Sequence, residues 1–421
     1  MTCLCPPRVC PEGVYLRRNG AVFLEIAIKP VRAGATESRG STPAAKLASM
    51  QLNTPVWDDQ PWTPLPKAGD IETDVCVVGL GGSGLTAVAE LLAHGARVVG
   101  LEAAGVAGGA AGRNGGLLLA GTAHFYHDAV SALGRERARR LYRLTLDELE
   151  RITLQTPEQV RRTGSLRIAG SPKEWEDCQK QLAAMQRDGF AAQPYNGLEG
   201  RGLLFPTDGT VQPLARCRAL ARSALGAGAQ LFEYSPALTL EGNEVTTPQG
   251  RVRCRAVIVA VDGRLETLLP ELRGRVRTAR LQMLATARAR EVTLPRPVYS
   301  RWGYEYYQQL PDGRVALGGF RDAGGEAEWE HSGVPSETVQ GRLENFLRHD
   351  LNVHAPITHR WAAPVGYTES GLPVLEEVRP QLWAIGGYSG TGNVIGALLG
   401  RTAARLALGL TAPEAALFTG T

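Results

Sequence analysis

Lysine is nearly missing from this 421-residue chain. Of 46 basic residues only Lys29, Lys46, Lys67, Lys173 and Lys180 are lysine, and the other 41 are arginine. Such a bias follows genomic base composition, and a net charge of +4, spread along the chain, is too small to mark a nucleic-acid surface. Long apolar runs are missing too. Thr391–Leu410 comes closest, but Arg401 and Arg405 interrupt it, so nothing reaches the ~20 uncharged residues of a membrane-spanning helix. The seven cysteines (3, 5, 10, 76, 178, 217 and 254) form no C-x-x-C pair and have no histidine at ligand spacing, so no metal site is expected. Free cysteines suit a reducing cytoplasm, and Cys76 sits in an apolar run as a small core residue. No internal repeat is visible.

Fifty glycines and 26 prolines are dispersed rather than clustered, and 43% of residues are hydrophobic, so the chain reads as globular and long enough for two domains. Residues 1–49 look foreign to the rest. They hold three of the cysteines and a small, polar stretch from Ala33 to Ser49, and are expected to be a disordered extension or an over-long reading frame whose start is Met50. A targeting segment is the alternative, although Ala21–Ile28 is short and carries Glu25. Residues 50–69 form an irregular lead-in with Trp57 and Trp62 among prolines.

The richest segment is Asp74–Glu102, DVCVVGLGGSGLTAVAELLAHGARVVGLE. It reads as strand, glycine turn, helix, strand, acid. Asp74–Val78 is apolar without alternation, as a strand buried on both faces must be. Gly79, Gly81 and Gly84 give G-x-G-x-x-G: one allows the tight turn, one leaves room for a pyrophosphate, one lets the helix sit close to the strand. The helix Leu85–His94 points its positive end at the phosphates, and Gly95 stops it. Arg97–Leu101 is the second strand. Glu102 ends it, where a carboxylate can take both hydroxyls of an adenosine ribose and disfavours the 2′-phosphate of NADP.

Further on, a glycine-rich run spans 103–121, and Ala129–Leu154 has the period of one long helix. Strands are expected at Ser165–Ala169, Leu203–Asp208, Leu231–Tyr234, Ala237–Glu241 and Arg255–Val261, with a hairpin through Pro248-Gln249-Gly250. Helices are expected at Pro172–Arg187, Pro213–Gly226 and Ser336–Leu351. From Thr278 to Arg321 short strands dominate, two of them joined by Pro311-Asp312-Gly313. Turns are expected at Pro364–Pro373. Leu382–Ile385 is a strand leading into a glycine loop and a last helix. The expected class is therefore α/β with an α+β second domain: a discontinuous nucleotide-binding domain over 70–160, 200–265 and 360–421, and an antiparallel-sheet substrate domain over 161–199 and 266–359.

Three pieces together resemble the D-amino acid oxidase-like FAD oxidoreductases, a family that includes glycine oxidase, sarcosine oxidase, D-amino acid dehydrogenase and gamma-glutamylputrescine oxidase. They are DVCVVGLGGSG…LE (74–102), GAAGRNGG (109–116) and GGYSGTGN (386–393). The lead-in tryptophans and YYQQLPDGRVALGG (306–319) look most like the gamma-glutamylputrescine oxidase and glycine oxidase branch. The resemblance covers about residues 70–410. It implies a Rossmann-like FAD-binding domain of glutathione-reductase type. It also implies FAD contacts at Gly79, Gly81, Gly82, Ser83, Gly84, Glu102 and Ala103, then at Arg113, Asn114, Gly115 and Gly116. Ala237 would meet adenine, and Ala260 and Gly263 would pass near the ribityl and phosphate region. Gly387, Tyr388, Ser389, Gly390, Thr391, Gly392 and Asn393 would lie beside the flavin pyrimidine end. Arg113 would offset phosphate charge.

The chain departs from the family pattern in four ways. Ala111 stands where serine is usual and Thr391 where histidine is usual. WAAPVGYT (361–368) lacks the cysteine that tethers flavin in sarcosine oxidases, so FAD is expected to be non-covalent. The oxygen-activating lysine of the sarcosine oxidase branch has no counterpart after Lys180, so O2 and a quinone or other electron carrier both stand as acceptors.

The implied chemistry is oxidation of an amine or amino acid by hydride transfer from the carbon bearing nitrogen to flavin N5, giving an imine that hydrolyses. The resemblance puts the substrate-carboxylate arginine of glycine oxidase near Gln308–Leu310, where this chain has none. Arg301 and Arg321 flank that region, and Tyr304 and Tyr306 share a strand face opposite Tyr307. These four, Arg301, Tyr304, Tyr306 and Arg321, are the pocket candidates, with no catalytic base nominated. His124, Tyr126 and His127 could cap the pocket. Two other readings stay open: a tRNA-modifying flavoprotein, and a flavin-binding subunit of a hetero-oligomeric oxidase.

Overall fold

The computed structural model describes residues 51–419, so the expectations for 1–49 lie outside the described residues. The strand–turn–helix–strand reading of 74–102 is realised as Val75–Val78, Gly82–Ala93 and Val98–Leu101. These strands lie in a six-stranded sheet whose order is Gln230–Phe232, Val98–Leu101, Val75–Val78, Ala256–Val259, Leu382–Gly386, Val374–Arg379. All pairs are parallel except the last. Val75–Val78, Val98–Leu101 and Ala256–Val259 are buried at every position, which explains their lack of alternation. Helices Gly82–Ala93 and Ile395–Ala407 cross at Gly400, where a Cβ would stand 2.1 Å from the Ser83 carbonyl oxygen. That crossing packs helices from the two ends of the described chain against each other.

The second layer is a nine-stranded, mainly antiparallel sheet. Its order is Gln51–Leu52, Ile357–Tyr367, Arg277–Arg288, Arg314–Gly319, Glu305–Gln309, Val298–Ser300, Ser165–Ile168, Gly200–Phe205, Gln193–Gly197. The Pro311-Asp312-Gly313 turn joins its two central strands, with Gly313 at φ +87°. Gly200–Phe205 and Ile357–Tyr367 hydrogen-bond into this sheet, although the sequence division at 200 and 360 runs through or beside them.

Two local expectations change, and one strand was not anticipated. The helix expected over 129–154 is two, Tyr126–Leu133 and Arg135–Gln155, because Gly134 takes φ +79° between them. Ile357–Tyr367 is an eleven-residue strand that runs through the first part of the expected turn region. Pro364 masks it. On one flank Pro364 faces Arg280, while the other flank is paired only at His359 and Arg360. Gln193–Gly197 is an exposed edge strand with no alternation to betray it.

Candidate active site

The G-x-G-x-x-G turn opens onto a cavity of about 670 Å³ between the two sheets. Each glycine answers a steric demand. Gly79 sits at φ +99°, with a notional Cβ 2.6 Å from the Ala260 carbonyl oxygen, and at Gly84 a Cβ would fall 1.8 Å from the Gly79 carbonyl oxygen. Gly84 therefore packs helix on strand and does not face the cavity, whereas Gly79, Gly81, Gly82 and Ser83 do. The helix begins at Gly81 with no side-chain cap and no acid in its first turn, so its N–H groups and dipole are free for an anion.

Arg216 strengthens that end of the cavity, and sequence reasoning missed it. It lies on helix Pro213–Gly226, is 4% exposed, and lines the cavity with Nη1 3.4 Å from where a Gly82 Cβ would be. Its Nε and Nη2 are buried with no hydrogen-bond partner among the described residues. Burial lowers its pKa. A buried unpaired guanidinium beside a bare helix N-terminus fits a diphosphate. The only advance signal was an arginine on the buried face of an amphipathic helix.

Glu102 reaches back over the same turn: Oε2 accepts from Leu80 N at 2.9 Å and Oε1 from Ala104 N at 3.1 Å. Burial pushes its carboxyl upward while those donors pull it down. Ala103, Ala237, Ala260 and Gly263 line the cavity along with it. Beyond Ala260, Asp262 ties three segments into one wall, accepting from Tyr388 N at 3.0 Å and Gly366 N at 3.2 Å. Burial raises its carboxyl to about 6.

The two remaining glycine motifs meet. Asn114 and Asn393 pair through their side-chain amides, and Trp57 Nε1 donates to Asn114 O at 2.8 Å. Arg113 also lines the cavity, but its guanidinium binds the Ala362 carbonyl at 2.9 Å and Asn53 O at 2.8 Å. It acts as a clamp, so the cation left without a partner beside the glycine turn, among the described residues, is Arg216. Gly115, Tyr388, Ser389, Gly390, Thr391, Gly392 and Asn393 face the cavity; Gly116 and Gly387 sit just behind it. At Gly116 (φ +67°) a Cβ would be 2.6 Å from both Gln308 Nε2 and Val211 O.

The far wall is one lateral row of the nine-stranded sheet. Arg167 pairs with Tyr299, Tyr299 with Tyr306, Tyr306 with Gly318, and Gly318 with Met283. Of these, Arg167, Tyr299, Tyr306 and Met283 line the cavity. Tyr306 packs against Gly115, where a Cβ would be 2.8 Å from its ring. The other three pocket candidates do not line the cavity. Arg301 is locked by Asp322 at 2.9 and 3.0 Å and Glu305 at 2.6 Å. Arg321 lies over the rings of Trp329, Tyr367 and Tyr304, at 4.5, 5.1 and 5.7 Å. Tyr304 precedes its strand and misses the row. His124 bonds the Ser370 carbonyl at 3.1 Å and Tyr126 bonds Asp188 at 2.7 Å. Both face a small side chamber of about 30 Å³ that also holds Asp208.

A parallel sheet with a glycine turn and an orphaned cation beside it, roofed by an antiparallel sheet, is an architecture that fits a dinucleotide-binding flavoprotein. The chain belongs to the FAD dependent oxidoreductase (DAO) family, whose profile matches residues 74–406, and FAD is its cofactor. The probable oxidoreductase OrdL of Rhizobium meliloti is 28% identical over 372 residues, 81% of this chain and 84% of that protein. The gamma-glutamylputrescine oxidoreductase of Escherichia coli is 27% identical over 370 residues, 80% and 84% of the two chains. Glycine oxidase from Geobacillus kaustophilus shares the fold at a TM-score of 0.66 and 21% identity, covering 82% of this chain and 96% of that one. No helix among the described residues is long and apolar enough to cross a membrane.

Proposed function

We propose that this protein oxidises the carbon–nitrogen bond of a small amine or amino acid; among the proteins it resembles, gamma-glutamylputrescine oxidoreductase and glycine oxidase are named for an amine and an amino acid. The observation that carries the reading is the continuity of the cavity, from the Gly79–Ser83 turn and Arg216 to the aromatic row of Tyr299 and Tyr306. Bound FAD supplies the hydride acceptor there. The chain's own part is to hold and orient. Gly79, Gly81, Gly82, Ser83 and Arg216 would bind the pyrophosphate, and Glu102 with Ala103 the adenosine ribose. Ala237 would meet adenine. Asn114, Gly115 and the 388–393 loop would frame the ring system, with helix Ile395–Ala407 directing its positive end toward it. Tyr306 would wall the substrate and exclude water, which keeps the amine neutral beside the acceptor.

We assign nucleotide binding to 70–160, 200–265 and 360–421 and substrate binding to 161–199 and 266–359, with the wall strands shared. Four free, buried cysteines support a cytoplasmic location. FAD is held without a covalent tether. O2 or a quinone-type carrier accepts the electrons, and both stand equally.

Anaerobic titration of the yellow protein with glycine, sarcosine, D- and L-amino acids, proline and acylated polyamines tests the reading. One compound should bleach the flavin, and its recolouring in air, fast with peroxide or slow without, identifies the acceptor class. A flavoprotein bleached by none of them would overturn it and favour a macromolecular substrate or a partner-subunit role.

A further inference from the structure

The large cavity has no evident place to put a proton. An amine reaches it mainly as an ammonium at neutral pH, and its oxidation needs the neutral form. Among the described residues that line the cavity there is no histidine and no lysine. Burial pushes the phenols of Tyr299 and Tyr306 up, and that of Tyr367 to about 12, so they stay protonated. Two carboxylates line it. Glu102 accepts from Leu80 N and Ala104 N, and Asp262 from Tyr388 N and Gly366 N. Those partners are N–H groups, which only donate, so a proton on either carboxyl would be set against a donor.

The side chamber holds a different kind of acid. Residues 119–122, Arg167 and Tyr299 line both spaces, so the chamber adjoins the cavity. Its volume of about 30 Å³ admits about two waters. Asp208 lines it and is 3% exposed. Its Oδ1 accepts from Ala120 N at 3.1 Å and its Oδ2 from Ser165 Oγ at 2.6 Å. Ser165 sets Asp208 apart from Glu102 and Asp262. A hydroxyl rotates and accepts as readily as it donates, so Oδ2 can carry a proton and donate it to Ser165 Oγ with no bond lost. The other charged and titratable groups around Asp208 are Arg167, Arg162, Tyr126, Tyr142, Tyr299 and His124. Burial raises the carboxyl to about 6 against the pull of Ser165, Ala120 N and the two arginines, so at neutral pH it is ionised and still basic. His124 is an exposed member of the chamber lining and gives it a side toward solvent.

We infer that Asp208 takes the ammonium proton of the substrate through water held in the side chamber. The inference rests on the amine-oxidation reading for the source of that proton. An N–H bond of the ammonium breaks and its electron pair stays on nitrogen. The proton passes to a chamber water, which gives one of its own to a carboxylate oxygen of Asp208, so water is neither made nor consumed. The neutral carboxyl then returns the proton to solvent on the His124 side. Asp208 is thus a relay residue that acts through water and does not touch the substrate.

The test follows anaerobic flavin reduction in the FAD-loaded protein against pH. The reductant is whichever of glycine, sarcosine, D- and L-amino acids, proline and acylated polyamines bleaches the flavin. In wild type the second-order rate constant of reduction should be flat above about pH 7 and fall below about pH 6. Asp208→Asn should be about 100-fold slower at pH ~7.5, and its rate should climb about tenfold per pH unit, because only amine already neutral in solution reacts. A merely structural role would scale the whole profile and keep its shape. Asp208→Glu should restore part of the plateau. Ser165→Ala removes a donor from the carboxylate and should move the low-pH fall upward, which carries the test should the Asn variant fail to fold. A wild-type-shaped profile in Asp208→Asn, or an unmoved fall in Ser165→Ala, would overturn the inference and leave the amine-oxidation reading intact. A wild-type flavin bleached by none of the compounds would overturn that reading and the inference with it.

Discussion

Asn114 and Asn393, 279 residues apart, close an amide-to-amide pair with both hydrogen bonds at 3.1 Å. Each also bonds backbone, Asn114 Oδ1 to Gly116 N at 2.9 Å and Asn393 Nδ2 to the Leu117 carbonyl at 2.8 Å. Two loops that both face the cavity are thereby one object. Asn114→Ala and Asn393→Ala should each cost about 1–2 kcal/mol of stability. The double variant should cost clearly less than their sum, since both remove the same pair. Chemical denaturation of the four proteins in the cycle measures it, and strict additivity would show that the loops are held separately.

Arg216→Met should move two quantities in opposite directions. An unpaired buried cation disfavours the flavin-free fold, so the variant apoprotein should melt higher than wild type. Losing the cation should weaken FAD binding by roughly 10- to 100-fold. Calorimetry of the apoprotein and quenching of flavin fluorescence read the two effects.

Gly84→Ala and Gly81→Ala should differ in kind. The new Cβ at 84 would lie 1.8 Å from a backbone oxygen, so folded protein should be lost. At 81 the nearest obstacle is the Ala111 methyl at 3.0 Å, so the chain should fold and bind FAD poorly. Soluble yield and flavin content separate the cases.

Asp208 gives a pH signature. Burial raises its carboxyl to about 6, above the ~3.9 of an unfolded chain, so the folded state holds the proton more tightly. Its contribution to stability falls as pH rises from about 4 to about 6, and its full cost is present above that window. Asp208→Asn should therefore raise the melting temperature at pH ~7.5 and change it little at pH ~4. An equal change at both pH values would mean that Asp208 does not titrate in that window.

The glycine turn was legible because it imposes local rules, positive φ and close approach; the acid at 102 was placed by its spacing in that unit, and the two later glycine loops by family resemblance alone. Pro172–Arg187 and Pro213–Gly226 were legible to the residue, since a proline opens each helix. What stayed hidden depends on pairing between distant strands. Nothing near Arg167 or Arg216 in the chain announces a cavity. Arg167 acquires its place only when Tyr299 pairs with it, and Arg216 only when its helix packs beside Gly82. Arg301 looked available until its strand end met Asp322.

The lead-in has a consequence for the life of the chain. Asn53 and Trp57 complete the wall at Arg113 and Asn114, and the opposite wall is made by Ala362 and Asn393. Those partners lie 249 and 279 residues further along the chain than the arginine and asparagine they hold. A nascent or truncated product that stops before residue 362 lacks them and should bind flavin poorly, however well its first βαβ unit has folded.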